Sequence, residues 1–179
     1  MSEIQTIVLG GGCFWCTEAV FKEVRGVADV ESGYSNGQVA RPSYEQVCTG
    51  RTGSVEVVKL EYDPAVISTR QVLEIFFAVH DPTQLNRQGN DVGTQYRSGI
   101  YFTTPEQQQA AQELVAEAVR DDLFDGPIMT EIKPLAHYWP AEDYHQDFFE
   151  HNPTQGYCLA VAAPKVAKFR KTFRELAKG

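Results

Sequence analysis

One short stretch near the amino terminus constrains the fold of this chain more than any other. The apolar run Ile7–Leu9 has the character of a β-strand, and the residues from Phe14 onward have the character of a helix's first turns. Three consecutive glycines, Gly10–Gly12, join the two, so the backbone can turn sharply and other groups can approach it closely. The sequence therefore predicts a strand, a tight turn and a helix, with Cys13 where the helix begins.

Cys13 is the first candidate for a reactive group. Unpaired backbone N–H groups and the positive end of the helix dipole lower the pKa of a thiol at a helix start, which favours a nucleophilic thiolate. Phe14 and Trp15 place apolar surface beside its sulfur. Together they predict chemistry on a small apolar group. The alternative is a small core cysteine with two core aromatics, since cysteine is among the most buried residue types.

Composition and charge exclude several classes of function. The 179 residues fit one domain, which we expect to span 1–179, and a net charge of −8 without a Lys/Arg block argues against nucleic-acid binding. No apolar run approaches the roughly 20 residues that span a membrane. Residues 1–6 lack the basic start and apolar core of a signal peptide. We expect a soluble, cytoplasmic and monomeric protein that binds neither membranes nor nucleic acid.

Four cysteines are too few for a disulfide scaffold at this length; they are Cys13, Cys16, Cys48 and Cys158. In a reducing compartment such cysteines are reactive or simply buried. Cys13 and Cys16 have the spacing of zinc ligands, but no second closely spaced Cys/His pair follows them. We therefore expect neither a metal nor a cofactor.

The pattern of apolar residues predicts strands interspersed with helices, without strict alternation. The predicted strands are Gln5–Leu9, Val27–Tyr34, Val55–Tyr62, Gly99–Phe102 and Ile128–Leu135. The predicted helices are Thr17–Glu23, Thr69–Val79, Pro105–Arg120, Tyr144–Glu150 and a basic amphipathic helix over Pro164–Ala177 that packs on its own domain. Three polar, glycine-bearing stretches remain, and long loops of this kind tend to be functional: Ser32–Gly53, Asp81–Ser98 and His137–Gly156.

A nucleophilic Cys13 needs a proton donor, and Glu56 is the most unusual carboxylate. It stands at the start of the apolar strand Val55–Tyr62. Facing solvent it would be ordinary, but in a pocket its pKa would rise and it could donate a proton near neutral pH. The other candidate partners lie in the first helix, directly after the second helix and in the three loops: Glu18, His80, Asp91, His137, His145, Tyr44 and Tyr96.

Several motifs in order along the chain carry a resemblance to a known family. Gly12-Cys13-Phe14-Trp15 is accompanied by Ser32-Gly33-Tyr34, Tyr44–Gly50, Thr52-Gly53 with Glu56-Val57, Tyr62-Asp63-Pro64, His80–Gln84, Asp91–Ser98 and Ala141–Gln146. The chain resembles the methionine sulfoxide reductase A family, whose members reduce the S epimer of methionine sulfoxide in proteins.

The resemblance implies a role for each matching residue. Cys13 would attack the sulfoxide sulfur while Glu56 protonates its oxygen and Tyr44 and Tyr96 hydrogen-bond to that oxygen. The substrate-binding residues would be Phe14 and Trp15 around the methyl group, with Asp91 and His145. The resulting sulfenic acid on Cys13 would be resolved by Cys158, which lies in a matching Asn-Pro…Gly-Tyr-Cys segment, and thioredoxin would reduce the disulfide.

Two positions depart from the family's pattern. Ser54 stands where the family commonly has a histidine two residues before the glutamate, which leaves the local tuning of Glu56 open. Cys16 makes a Cys-x-x-Cys motif with Cys13, so it rivals Cys158 as the resolving thiol; the alternative is a buried Cys16 that faces the core. Cys48 is interpreted as structural.

We expect an α/β (α+β) fold: a two-layer sandwich of a mixed β-sheet with helices and long functional loops, around a ferredoxin-like core. The rival enzyme class is a thioredoxin-like dithiol–disulfide oxidoreductase that uses Cys13-x-x-Cys16. Against it stand the bulky pair Phe14-Trp15 and the lack of an evident proline partner. A module that binds methionine sulfoxide without turnover is the non-enzymatic alternative.

Overall fold

The computed structural model describes residues 3–178. Its strands are β1 (Gln5–Gly10), β2 (Val27–Ser35), β3 (Val55–Tyr62), β4 (Arg87–Gln88), β5 (Asp91–Val92), β6 (Gly99–Phe102), β7 (Glu131–Pro134) and β8 (Trp139–Pro140). Its α-helices are α1 (Phe14–Phe21), α2 (Tyr44–Cys48), α3 (Thr69–Val79), α4 (Pro105–Arg120), α5 (Phe148–His151) and α6 (Ala163–Thr172). Short 3-10 turns cover Thr94–Tyr96, Asp143–His145 and Arg174–Leu176, and one π-helical turn covers Cys158–Ala162.

Six strands form one mixed sheet in the order β7-β6-β1-β3-β2-β8, while β4 and β5 form a separate hairpin. Only the β6–β7 pair of the large sheet is parallel; the other pairs are antiparallel. The elements β1-α1-β2-β3-α3-β6 give the central order β6-β1-β3-β2, in which β3 lies between the two strands that α1 connects. This arrangement is the predicted ferredoxin-like core, and the mixed sheet with helices confirms the predicted fold class.

Alternating side chains of the central strands bury both faces of the sheet. On β3, Val58 and Leu60 join the main core under the helices, whereas Val55 and Val57 join a smaller cluster on the opposite face. Side chains two positions apart on a strand share a face, so Glu56 belongs to the face that α1 covers. The register of the sheet, rather than any local feature, therefore directs this carboxyl inward.

The long helices follow their sequence signals closely. A capping box between Ser68 and Gln71 begins α3, and Thr104 caps α4 ahead of Pro105, so both helices have their predicted bounds. In the C-terminal helix Val166 and Phe169 are buried, as the prediction of packing on its own domain requires. That helix ends at Thr172, before a separate 3-10 turn.

Other predictions were wrong in extent. The first helix begins at Phe14 and ends at Phe21, and the segment Ile128–Leu135 contains only the four-residue strand β7. The prediction over Tyr144–Glu150 fails at Asp147, whose left-handed φ of 57° separates a 3-10 turn from α5. Within residues 3–178, no helix has the length and apolar character needed to cross a lipid bilayer.

Candidate active site

The glycine turn positions Cys13 as the sequence predicts. Gly12 has a φ of +92°, a conformation that side chains rarely adopt, and a Cβ there would lie 2.7 Å from Cγ of Gln88 on the β4–β5 hairpin. Cys13 follows as the residue that caps α1, with only 8% of its surface exposed. The sulfur therefore lies at the helix start, beneath neighbouring groups rather than at the open surface.

The carboxyl of Glu56 is hydrogen-bonded to Phe14, the residue after Cys13. The backbone N–H of Phe14 donates a hydrogen bond to Oε1 of Glu56 at 3.2 Å, and this carboxyl is 1% exposed. Its other oxygen, Oε2, is buried without a hydrogen-bond partner among the described residues. Glu56 is thus an inward-facing carboxyl beside Cys13, with one oxygen free to carry a proton.

Burial decides the protonation of both groups. It raises the pKa of Glu56 to about 8, because the hydrogen bond from Phe14 offsets only part of the lost hydration. The pKa of Cys13 also lies well above its ordinary value, first because the thiol is buried and then because Glu56 and Cys16 are near. The backbone N–H of Trp15 acts in the expected direction, but it is outweighed. The predicted lowering of the Cys13 pKa is therefore wrong for this protein without substrate.

An aromatic wall stands beside the thiol. Trp15 stacks on Phe148 with ring centroids 3.7 Å apart and an interplanar angle of 4°, and its indole N–H donates to Nδ1 of His145 at 3.0 Å. The ring of His145 lies 5.0 Å from that of Phe14 and 4.5 Å from that of Tyr44. Burial lowers the pKa of His145, which keeps this imidazole neutral and able to accept the indole hydrogen bond.

Two tyrosines lie near the same carboxyl, Tyr44 at the start of α2 and Tyr96 at the end of a 3-10 turn. Tyr44 and Tyr96 are half-buried, and each has its pKa raised by burial first and by the nearby Glu56 next. Hydrogen bonds fix the backbone at both positions. The N–H of Tyr44 donates to Oε2 of Glu142 at 2.9 Å. Arg97, the residue after Tyr96, donates to the carbonyls of Thr94 and Gly53 at 2.9 Å.

A hydrogen-bonded chain runs along the edge of the site. The thiol of Cys16 donates to the hydroxyl of Tyr157 at 3.5 Å, and that hydroxyl donates to Oδ2 of Asp91 at 2.6 Å. Cys16 is buried, which agrees with its interpretation as a core residue rather than the resolving thiol. Its hydrogen-bond partner Tyr157, however, directly precedes Cys158, the other candidate for the resolving thiol. The Asp91–Tyr157 contact is a feature that the sequence analysis missed.

The remaining cysteines differ in exposure. Cys158 is completely buried in the π-helical turn, whereas Cys48 is exposed at the end of α2, and all four cysteines are free. Among residues 3–178 no three His, Cys, Asp or Glu side chains come close enough to hold a metal ion.

Several sequence candidates lie outside this group. His80 is buried between the carbonyl of Phe76 and the hydroxyl of Ser98, where it ties α3 to the sheet, and His137 is exposed. Glu18 is buried one helical turn beyond Trp15 and accepts a hydrogen bond from Ser32 instead. Ser54 packs against Gly37, and its backbone bonds to Thr52, so no hydrogen bond links it to Glu56.

The assembled group offers a buried thiol, a protonatable carboxyl, two phenols and an apolar wall. It suits attack on a centre that must accept a proton while its apolar substituent contacts aromatic rings. Of the residues in this group, Glu142 and Tyr157 received no role from the sequence. Glu142 belongs to the quoted Ala141–Gln146 motif, and Tyr157 directly precedes Cys158, so each had a weak signal.

Comparison with known proteins agrees with this geometry. The family model described as peptide methionine sulfoxide reductase matches residues 5–177. The chain is 55% identical to a peptide methionine sulfoxide reductase MsrA of Haloquadratum walsbyi, over 98% of both chains, and 53% identical to one of Polynucleobacter asymbioticus, over 97% of this chain and 91% of that one. Its fold is similar to Mxr1 from Saccharomyces cerevisiae in reduced form, with a TM-score of 0.82 and 34% identity over 89% and 91% of the two chains.

Proposed function

The chain belongs to the peptide methionine sulfoxide reductase family, and from this premise we propose that Cys13, assisted by Glu56, reduces the S epimer of methionine sulfoxide, both protein-bound and free. The family itself accounts for an oxidoreductase that acts on methionine sulfoxide. The proposal adds which residues of this chain perform the chemistry.

The contact between Phe14 and Glu56 carries the proposal. The hydrogen bond of 3.2 Å fixes the carboxyl next to the residue that bears the nucleophile, and a pKa of about 8 leaves it protonated at neutral pH. A sulfoxide oxygen is a poor leaving group unless it is protonated. A neutral carboxyl beside a thiol is therefore the arrangement that this reduction needs.

The first step forms a bond between the sulfur of Cys13 and the sulfoxide sulfur while Glu56 delivers its proton to the oxygen. The S–O bond of the substrate then breaks, the oxygen passes to Cys13, and the products are methionine and a sulfenic acid on Cys13. The substrate sulfur is reduced by two electrons and the sulfur of Cys13 is oxidised by two. The thiol proton of Cys13 restores the acid form of Glu56.

The surrounding side chains suit the parts of the substrate. Phe14 and Trp15 provide the apolar surface for the methyl group, and the phenols of Tyr44 and Tyr96 provide hydrogen bonds to the oxygen. His145 keeps Trp15 oriented through the 3.0 Å hydrogen bond from its indole. The carboxylate of Asp91 positions the substrate by accepting a hydrogen bond from it.

Recycling requires a second thiol and an external reductant. Cys158 attacks the sulfenic sulfur of Cys13, which forms a disulfide and releases water, and thioredoxin then reduces that disulfide. The yeast relative Mxr1 has been solved in complex with Trx2, which supports a reductant of this kind. Four free cysteines suit the reducing cytoplasm, where we place the protein, and we take it to act as one monomeric catalytic domain.

The test is incubation with a peptide that contains racemic methionine sulfoxide, with dithiothreitol as reductant. The proposal expects half of the sulfoxide to be consumed, with the R epimer left intact. Consumption of both epimers, or of neither, would contradict it. A parallel sample with a disulfide-bonded peptide separates the thioredoxin-like alternative, which requires faster disulfide reduction than sulfoxide reduction.

A further inference from the structure

The nucleophile is covered in the structure described here. Cys13 is 8% exposed, so the side chain of a methionine sulfoxide cannot reach its sulfur until a neighbouring group moves. Tyr157 is one such group: its hydroxyl lies near both Cys13 and Cys16, and its ring packs edge-on against that of Trp15, with the centroids 5.8 Å apart. Its side chain therefore lies between the aromatic wall and the carboxylate of Asp91.

We propose that Tyr157 acts as a latch. Without substrate, its hydroxyl donates a hydrogen bond to Asp91. An incoming peptide takes the place of this hydroxyl at Asp91, and the displaced tyrosine releases the adjacent Cys158 for recycling. This inference rests on the proposed function, which assigns Asp91 to the substrate and Cys158 to the resolving step. The peptide group that would replace the hydroxyl is a backbone N–H, because an ionised carboxylate only accepts hydrogen bonds.

The strength of the contact suits a latch. The hydroxyl of Tyr157 donates to Oδ2 of Asp91 at 2.6 Å, which is the short distance of a hydrogen bond to a charged acceptor. The same hydroxyl accepts a hydrogen bond from the thiol of Cys16 at 3.5 Å. A ligand that offers another donor to Asp91 removes the stronger of these two bonds and leaves Tyr157 with a weak one.

The chain around Tyr157 can follow its movement. Residues 152–156 are exposed, and a Cβ added at Gly156 would have no heavy atom beyond its chain neighbours within 4 Å. Cys158 is held at its N–H by the side-chain oxygen of Gln155, a neighbour in the same segment, rather than by the sheet. Because a single peptide bond links Tyr157 to Cys158, displacing the tyrosine also disturbs the completely buried thiol.

The latch predicts a link between substrate binding and the exposure of Cys158, which labelling with a maleimide can measure. The protein is the Cys13→Ser variant, which cannot turn over, and peptide mass mapping identifies the labelled cysteine. With a peptide that contains methionine sulfoxide, we expect labelling of Cys158 to accelerate by roughly tenfold or more, the scale of losing one hydrogen bond to a charged group. Tryptophan fluorescence reports peptide binding separately.

A second variant tests the latch without any peptide. Tyr157→Phe in the same background keeps the ring against Trp15 but removes the bond to Asp91, so Cys158 should be labelled roughly tenfold faster with no peptide present, and peptide should add little. Tyr144→Phe is the matched control, since this tyrosine of the same region is 58% exposed, and its labelling should equal that of the Cys13→Ser parent.

Two results would overturn the latch. One is slow labelling of Cys158 in Tyr157→Phe; the other is unchanged labelling of the parent at a peptide concentration that saturates the fluorescence signal. A peptide that never binds would instead contradict the proposed function, and in that case the Tyr157→Phe comparison alone decides the latch.

Discussion

The sheet-bound half of the site and its C-terminal half are built differently. Glu56 lies on β3, which pairs with β2 from Val55 to Tyr62 and with β1 from Val58 to Tyr62. Cys13 is separated from the end of β1 by two glycines only. The segment from Asp143 to Ala162 instead contains one 3-10 turn, a four-residue helix and a π-helical turn, joined by irregular chain. The side chain of Gln146 anchors its beginning to the backbone of Ser32 with two hydrogen bonds of 2.9 Å, whereas residues 152–156 are exposed.

The difference separates two tasks. Proton donation to a bound sulfoxide needs a carboxyl that is fixed relative to the nucleophile, and paired strands supply that rigidity. The proposed recycling needs a thiol that is buried at one stage and contacts Cys13 at another. An irregular segment with few backbone bonds can open locally at low cost in free energy. Changes in the sheet-bound half should therefore alter the first turnover, and changes in the C-terminal half should alter recycling.

The largest effect should follow from Cys13→Ser. A serine hydroxyl is a far weaker nucleophile than a thiol, so a single-turnover assay should detect no methionine. Cys48→Ser is the control, because that thiol is exposed and should leave the yield at the level of the unaltered protein. Methionine formed by Cys13→Ser at the normal rate would contradict the assignment of the nucleophile.

Cys158→Ser tests the other half of the comparison. The first turnover should proceed, with about one methionine per enzyme, while turnover with thioredoxin stops and a sulfenic acid accumulates that a dimedone reagent traps. Cys16→Ser should continue to turn over with thioredoxin. The reverse pattern, in which only Cys16→Ser stops, would transfer the resolving role to Cys16.

Glu56→Gln should slow the first turnover by about 10²-fold or more, the scale of general-acid effects. Because a pKa of about 8 keeps Glu56 protonated below that pH, the first-turnover rate of the unaltered protein should fall as the pH rises through about 8. The glutamine variant should lack this fall. Glu18→Gln is the matched control: it changes another buried glutamate, and a loss of 10²-fold there would reassign the acid.

The smallest effect concerns stability. The pKa of Glu56 is higher in the folded protein than the ordinary value of 4.5, so the folded state holds its proton longer and stability decreases as the pH rises from about 4.5 to 8. Between about pH 5 and pH 8.5, the raised pKa of Glu56 should lower the unfolding free energy by roughly 2–4 kcal/mol, and the Glu56→Gln variant should lack this decrease. Urea unfolding at both values measures this, with the exposed Glu113→Gln as control. Parallel curves for both variants would contradict the burial of an unpaired carboxyl.

Local signals in the sequence were sufficient for much of the fold. The glycine turn before Cys13 and the capping residues of α3 and α4 act within a few positions, so they could be interpreted without tertiary information. The face of Glu56 could not, because β3 is apolar on both sides and alternation alone does not say which side α1 covers. The pattern of the strand singled out this carboxyl but left its orientation open, and the resemblance to a family implied its role.

The features that escaped prediction depend on distant contacts. The pKa of Cys13 is raised because the thiol is deeply buried, and a position at the start of a helix does not determine how deeply a side chain is buried. The bond between Tyr157 and Asp91 joins residues that are 66 positions apart. The left-handed Asp147, which ends a predicted helix, has an ion pair with Lys22 on a different element. The catalytic role of each site residue stays a prediction until the variants above are measured.

The raised pKa of Cys13 has a consequence for the survival of this protein during oxidative stress. Peroxides and alkylating agents attack thiolates far more readily than protonated thiols, and they react more slowly still with a sulfur that is buried from solvent. A buried Cys13 that keeps its proton is therefore a poor target for the very oxidants that produce methionine sulfoxide. In the proposed mechanism its reactivity is confined to a substrate that brings an oxygen to Glu56, which would spare the enzyme from the oxidants whose damage it corrects.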